Sequence, residues 1–155
     1  MIDKEKEAEK LAEFIHFGQK RRNGEDFVEH PKRVAKAIKE LGYDEDMVCA
    51  SLFHDVEDFA FLGDMFRIID KVFGYRVFGL VLTLTNVPKG RTYNDYIYNI
   101  AKISEDAMTI KWQDMIDNTS DVVPKKQWEK YRNACLFLQS KKIEIPEILI
   151  KRLRI

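Results

Sequence analysis

The sequence predicts an all-α fold on three observations: apolar residues recur at helical spacing nearly throughout, prolines and glycines punctuate that pattern, and no stretch is rich in strand-like alternation. Ala8, Leu11, Ala12 and Ile15 share one face among Lys and Glu, which defines an amphipathic first helix ending near Gly18. A polar loop covers residues 21–29. Pro31 suits the first position of a second helix, Val34, Ala37, Ile38 and Leu41 form its apolar face, and Gly42 stops it. His30 therefore sits at a helix N-terminus. Asp44 is the expected N-cap of a third helix, largely apolar from Met47 to Phe53 before His54 and Asp55 arrive. Further helices are predicted over residues 63–73, 75–85, 92–103, 106–118 and 125–140, while the tail after Pro146 suits helix or strand.

With 155 residues, 45% of them hydrophobic, the chain is expected to form one domain over residues 1–155 around one core. Lys and Arg total 26 and Asp and Glu total 26, which argues against a nucleic-acid polymer or a membrane surface as partner. An anionic ligand then requires a local basic patch. Cys49 and Cys135 stand in apolar helical contexts without ligand spacing and read as reduced core thiols. The charged start is unlike a signal peptide, and the apolar run over residues 77–84 is too short to span a bilayer. A cytoplasmic location is expected.

The chemistry concentrates in His30, the adjacent His54 and Asp55, and Asp114. Imidazole nitrogens with carboxylate oxygens suit one divalent ion, manganese, iron or zinc, with room left for water. Because His54 and Asp55 end an apolar run, the site is expected in the interior. Lys111, Asp114 and Asn118 fall on one face of a predicted helix. Taken alone, such a face reads as solvated with local ion pairs. The upstream histidines turn the reading toward metal and ligand.

Four segments carry a family resemblance: HFGQKRRNGEDFVEHP over residues 16–31, ASLFHDVED over 50–58, RTYNDYI over 91–97 and IKWQDMIDN over 110–118. In this order they resemble the HD-domain hydrolases of the RelA/SpoT type, most closely the small stand-alone alarmone hydrolases. The resemblance covers about residues 5–118 and implies an HD-type helical bundle with a buried metal site, followed by a helix and tail over 125–155. It implies His30, His54, Asp55 and Asp114 as ligands of one ion, typically manganese. The implied reaction removes pyrophosphate from the 3′ position of guanosine tetra- or pentaphosphate. By the same resemblance Arg21, with Arg22 beside it, matches an Arg that packs on the guanine base, and Asn118 matches an Asn reaching toward the ribose; a guanidinium suits both stacking and phosphate pairing. Lys111 and Lys20 are further candidate cations, although Lys20 and Arg22 also fit a solvated helix end. Tyr93 and Tyr96 suit a nucleotide rim or simple packing equally. His16 reads as a hydrogen-bonded structural histidine and Trp112 as core filling, while Trp128 matches no family role.

The departure lies in the acidic pair. Family members carry two residues between His-Asp and a Glu-Asp pair that handles the attacking water and the proton; here only Val56 intervenes before Glu57 and Asp58. On a regular helix one residue is about 100° of rotation, so Asp58 takes the Glu position and Phe59 the Asp position, which predicts slow alarmone hydrolysis. A tightened turn instead restores Glu57 and Asp58. Asp26-Phe27 replaces the common Pro-Tyr and adds a negative charge near the site. Two other functions remain open, hydrolysis of another nucleotide and a nucleotide-binding module with impaired catalysis; turnover separates them.

Overall fold

Capping residues and glycines set the helix ends in the computed structural model, which describes residues 1–56, 62–85 and 91–155. Asp3 starts α1 (Lys4–Ile15) by accepting from the Lys6 amide at 3.2 Å. Helix α2 (Glu29–Glu40) begins two residues before Pro31, because the Glu29 and His30 amides already donate to the Asp26 and Phe27 carbonyls. Pro31 is tolerated there because the first four helical amides have no intrahelical acceptor. Gly42, at φ +85°, ends the helix as its sequence position implies. Asp44 then accepts from the Met47 amide at 3.1 Å and opens α3 (Glu45–Leu52).

Two compact units result, Met1–Thr85 and Asn86–Ile155. In the first, α3 packs against α1, α2 and α5 (Tyr75–Leu84), and α4 (Leu62–Phe73) packs on α5. Every side chain from Met47 to Leu52 is buried, the arrangement a helix apolar on all sides demands. Phe53 closes that core with its ring edge to Phe73 at 5.0 Å.

In the second unit α6 (Tyr93–Ile103) packs against α7 (Glu105–Asn118) and α8 (Lys125–Ser140), with Thr92 and Ser104 as side-chain N-caps of α6 and α7. The tail resolves as helix α9 (Glu147–Leu153), which buries Leu149 and Leu153, four residues apart, against α7 and α8. Arg152 donates to the Ile116 carbonyl at 2.6 Å, supplying a partner for the open end of α7. The Trp128 indole donates to the Arg152 carbonyl at 3.3 Å and so ties α8 to α9. Trp112 is half-buried, not core filling: it lines a groove of about 650 Å³ with Lys142, Ile145, Pro146 and Ile150.

Both cysteines are free and buried, and burial pushes each thiol up to about 12. No helix of the described residues is long and apolar enough to cross a membrane.

Asp44 supports a prediction. The Arg76 guanidinium, 2.6 Å away, together with the Met47 amide holds its carboxyl below the ordinary value of 3.8. Asp44→Ala is expected to lower the unfolding free energy by about 1 kcal/mol at pH 7. A depressed folded value means the contribution is present above 3.8 and disappears as pH falls through the lower folded value. Urea unfolding from pH 7 to 3 should show the gap between wild type and variant narrowing only at the acidic end.

Candidate metal centre and its surroundings

The turn after α3 builds the centre. Beyond Leu52 the winding tightens: the Phe53 and Val56 amides donate to the Ala50 and Phe53 carbonyls, each three residues back. His54 and Asp55 therefore stand past the helix end, not within a regular helix. The last carbonyls of a helix have no intrahelical donor, and the Ser51 carbonyl takes the His54 ring, whose Nδ1 donates to it at 2.7 Å. That bond fixes the proton on Nδ1 and leaves Nε2 as the electron-pair donor in neutral His54.

His54 Nε2 faces His30 Nε2 at 3.2 Å and Asp55 Oδ2 at 3.2 Å, and the last two atoms are 3.5 Å apart. Both histidines are buried and Asp55 is half-buried. Ligand atoms that each lie about 2.1 Å from one shared ion stand about 3.0–3.4 Å from each other. The triangle thus fits a divalent cation in size and in donor chemistry. Among the described residues, these three also form a group able to hold a metal ion, with ligand atoms all within 4.8 Å.

Aromatic packing sets the His30 ring. Phe27 meets it edge-on at 6.3 Å and stacks against His16 at 4.7 Å, while the His16 Nδ1 pairs with Gln19 at 3.0 Å. His16 is the structural histidine the sequence suggests. The Arg21 guanidinium lies 5.9 Å from the Phe27 ring centre, and its Nε is 3.4 Å from Glu25. Arg33 grips both oxygens of Glu25 at 3.0 and 2.8 Å, which holds the Glu25 carboxyl below its usual range. Arg22 is exposed. Asp26, expected to add negative charge to the site, is paired with Lys20.

In the second unit, Asp114 is buried and its two oxygens accept from different side chains: Lys111 at 2.7 Å and Asn118 at 2.6 Å. Burial is the largest influence on Lys111 and disfavours its charge, yet the Asp114 carboxylate together with Tyr93, Tyr96 and Tyr131 outweighs it and holds the ammonium well above the ordinary lysine value. Tyr93 and Tyr96 lie beside this pair, with the Lys111 ammonium 6.0 and 5.4 Å from their ring centres. Burial pushes the Tyr93 hydroxyl well above its ordinary value. The structure thus groups Lys111, Asp114, Asn118, Tyr93 and Tyr96 in one unit, and His30, His54 and Asp55 in the other. Glu57 and Asp58 lie outside the described residues.

Two contributors escaped sequence reading. The Ser51 carbonyl is a backbone group and carries no residue signature, although its place three residues before His54 at a helix end marks it. Phe27, which the sequence marks only as a departure from the common Pro-Tyr, is the ring against His30.

The family described as HD domain matches residues 8–138. The guanosine-3′,5′-bis(diphosphate) 3′-pyrophosphohydrolase of Aquifex aeolicus is 34% identical over 118 residues, which are 72% of this chain and 16% of that protein. RSH1, a chloroplastic protein of Arabidopsis thaliana named for GTP diphosphokinase activity, is 44% identical over 81 residues, 52% of this chain and 9% of that protein. The chain spans well under a fifth of the length of these curated relatives. Among solved structures, a metazoan ortholog of SpoT, described as hydrolysing ppGpp, matches with a TM-score of 0.76 at 25% identity, over 99% of this chain and 93% of that one.

Asp114→Ala would strand the buried Lys111 ammonium, and it is expected to lower the unfolding free energy by roughly 3 kcal/mol. Adding Lys111→Met should recover most of that loss. Urea denaturation of the metal-stripped proteins checks it: a double variant no more stable than Asp114→Ala would show that the ion pair is not what the core depends on here.

Proposed function

The chain belongs to the HD-domain family, and from that premise we propose that it is a divalent-metal-dependent phosphohydrolase removing pyrophosphate from the 3′ position of guanosine 3′,5′-bis(diphosphate). The observation that carries this reading is the triangle of His30, His54 and Asp55 with the His54 lone pair fixed inward. The substrate is supported by the named activity of the Aquifex aeolicus relative and by the described activity of the metazoan SpoT ortholog. The family match runs through both compact units, which supports their service as one catalytic domain.

Asp114 is proposed as the fourth ligand. Its place in the order of motifs supports this, as does its chemistry, a carboxylate being an acceptor-only oxygen donor set. Manganese is the proposed ion, in keeping with a mixed nitrogen and oxygen set. When bound, such an ion acts as a Lewis acid on water and on the scissile phosphate. A reducing cytoplasmic setting agrees with two free buried thiols.

The remaining roles belong to side chains. Arg21, held against Phe27 and Glu25, presents a flat guanidinium suited to a guanine face, and exposed Arg22 suits a phosphate. Asn118 and Lys111 orient Asp114 by hydrogen bonds and stand near the proposed ribose and phosphates, with Tyr93 and Tyr96 as aromatic neighbours. Glu57 and Asp58 are the proposed proton-handling carboxylates. The tightened turn through Val56 supports this short motif as a working one.

The wild-type protein with manganese is therefore expected to release pyrophosphate from ppGpp. Glu57→Gln should lower the rate by on the order of a hundredfold to ten-thousandfold with metal content unchanged, and a Val inserted after Val56 should also slow it. Product analysis that resolves pyrophosphate from phosphate checks all three proteins. A faster insertion variant would restore the regular-helix account, and a wild type with no turnover would remove the alarmone reaction.

A further inference from the structure

Most lysines with recorded interactions here neutralise carboxylates; Lys32, for example, meets Glu9 and Glu13 at 3.2 and 2.7 Å. Lys130 on α8 differs. Among the described residues no carboxylate lies within 4.0 Å of its ammonium. Instead the Nζ sits 4.6 Å from the Tyr93 ring centre and 5.0 Å from that of Tyr131. The side chain keeps solvent access, yet burial by these rings, followed by the nearby Lys111 charge, pulls it below the ordinary lysine value. The hydroxyl of that Tyr93 ring is buried and has no hydrogen-bond partner among the described residues.

These features form a shelf within the second unit. Lys111 and Asp114 are close enough for both charges to act on Lys130. Lys111 is committed to Asp114 at 2.7 Å, whereas the direct contacts of the Lys130 ammonium are to ring faces. Attraction to an aromatic quadrupole is weaker than a charge-assisted bond to an oxyanion. An arriving phosphate oxygen would therefore draw the ammonium from the rings, and the Tyr93 hydroxyl is a second available donor.

We propose that Lys130, with the Tyr93 hydroxyl, is a phosphate-binding position that receives a pyrophosphate oxygen of the substrate. Lys130 lies beyond residues 5–118, so none of the motifs that point to the metal centre includes it. The assignment rests on the phosphohydrolase reading for its place in the reaction, but the binding of a polyphosphate at this shelf is measurable without turnover.

The test is calorimetric titration of inorganic pyrophosphate into the metal-loaded full chain, alongside ppGpp turnover. Lys130→Gln is expected to weaken pyrophosphate binding about tenfold, the loss of one charge-assisted contact. Lys130→Arg should keep affinity within about twofold, because the charge and the ring contacts persist. Tyr93→Phe should weaken binding about threefold or more by removing the neutral donor alone. Lys126→Gln, an exposed charge on the same helix, controls for net charge and should leave affinity unchanged. Melting curves verify that each variant folds. Equal affinity in wild type and Lys130→Gln, equal loss in Lys126→Gln, or no pyrophosphate binding by the wild type would each overturn the assignment. Pyrophosphate binding that depends on Lys130 in a protein with no ppGpp turnover would uphold the shelf and overturn the reaction.

Discussion

One hydrogen bond, from the His54 ring to the Ser51 carbonyl, determines what the first unit can do. It exists because α3 is short and buried, and because a helix end leaves carbonyls open just where the chain tightens into His54 and Asp55. With its proton held on Nδ1, the imidazole turns a lone pair toward His30 and Asp55. That lone pair is positioned for a cation held between His54, His30 and Asp55. Metal chemistry thus follows from backbone geometry as much as from the ligand side chains, and a backbone partner of this kind is how ligating histidines are commonly oriented.

Charge is used differently at different depths. Exposed pairs such as Lys20 with Asp26 contribute little stability. The buried Lys111 and Asp114 pair is costly to desolvate and is retained as a unit, with Asn118 donating to the same carboxylate. Glu25 is gripped by Arg33 and in turn steadies Arg21 against Phe27, so a flexible side chain arrives partly ordered.

Much of the fold was legible because its signals are local. Asp44, Gly42 and the apolar face of α2 act where their sequence positions imply, and every long periodic segment is helical. The start of α2 moved because backbone bonds from residues 29 and 30 form before Pro31, and no side chain advertises them. The tail was ambiguous since Leu149 and Leu153 suit a helix only once α7 and α8 offer them a surface. At the site, residue types disclosed His30, His54 and Asp55, whereas the tightened turn was only one of two readings of a motif short by one residue. Lys130 stayed hidden because an isolated lysine on an amphipathic helix has no distinguishing spacing; beside its sequence neighbour Tyr131, the Tyr93 ring comes from another helix.

The claim on which this account turns is that the two imidazole Nε2 atoms share one ion, and X-ray absorption at the manganese edge of protein loaded with one equivalent of manganese(II) addresses it directly. The account predicts a first shell with two imidazole nitrogens among carboxylate and water oxygens, falling to one imidazole in His54→Ala. An all-oxygen shell, or a shell unchanged by that substitution, would contradict it.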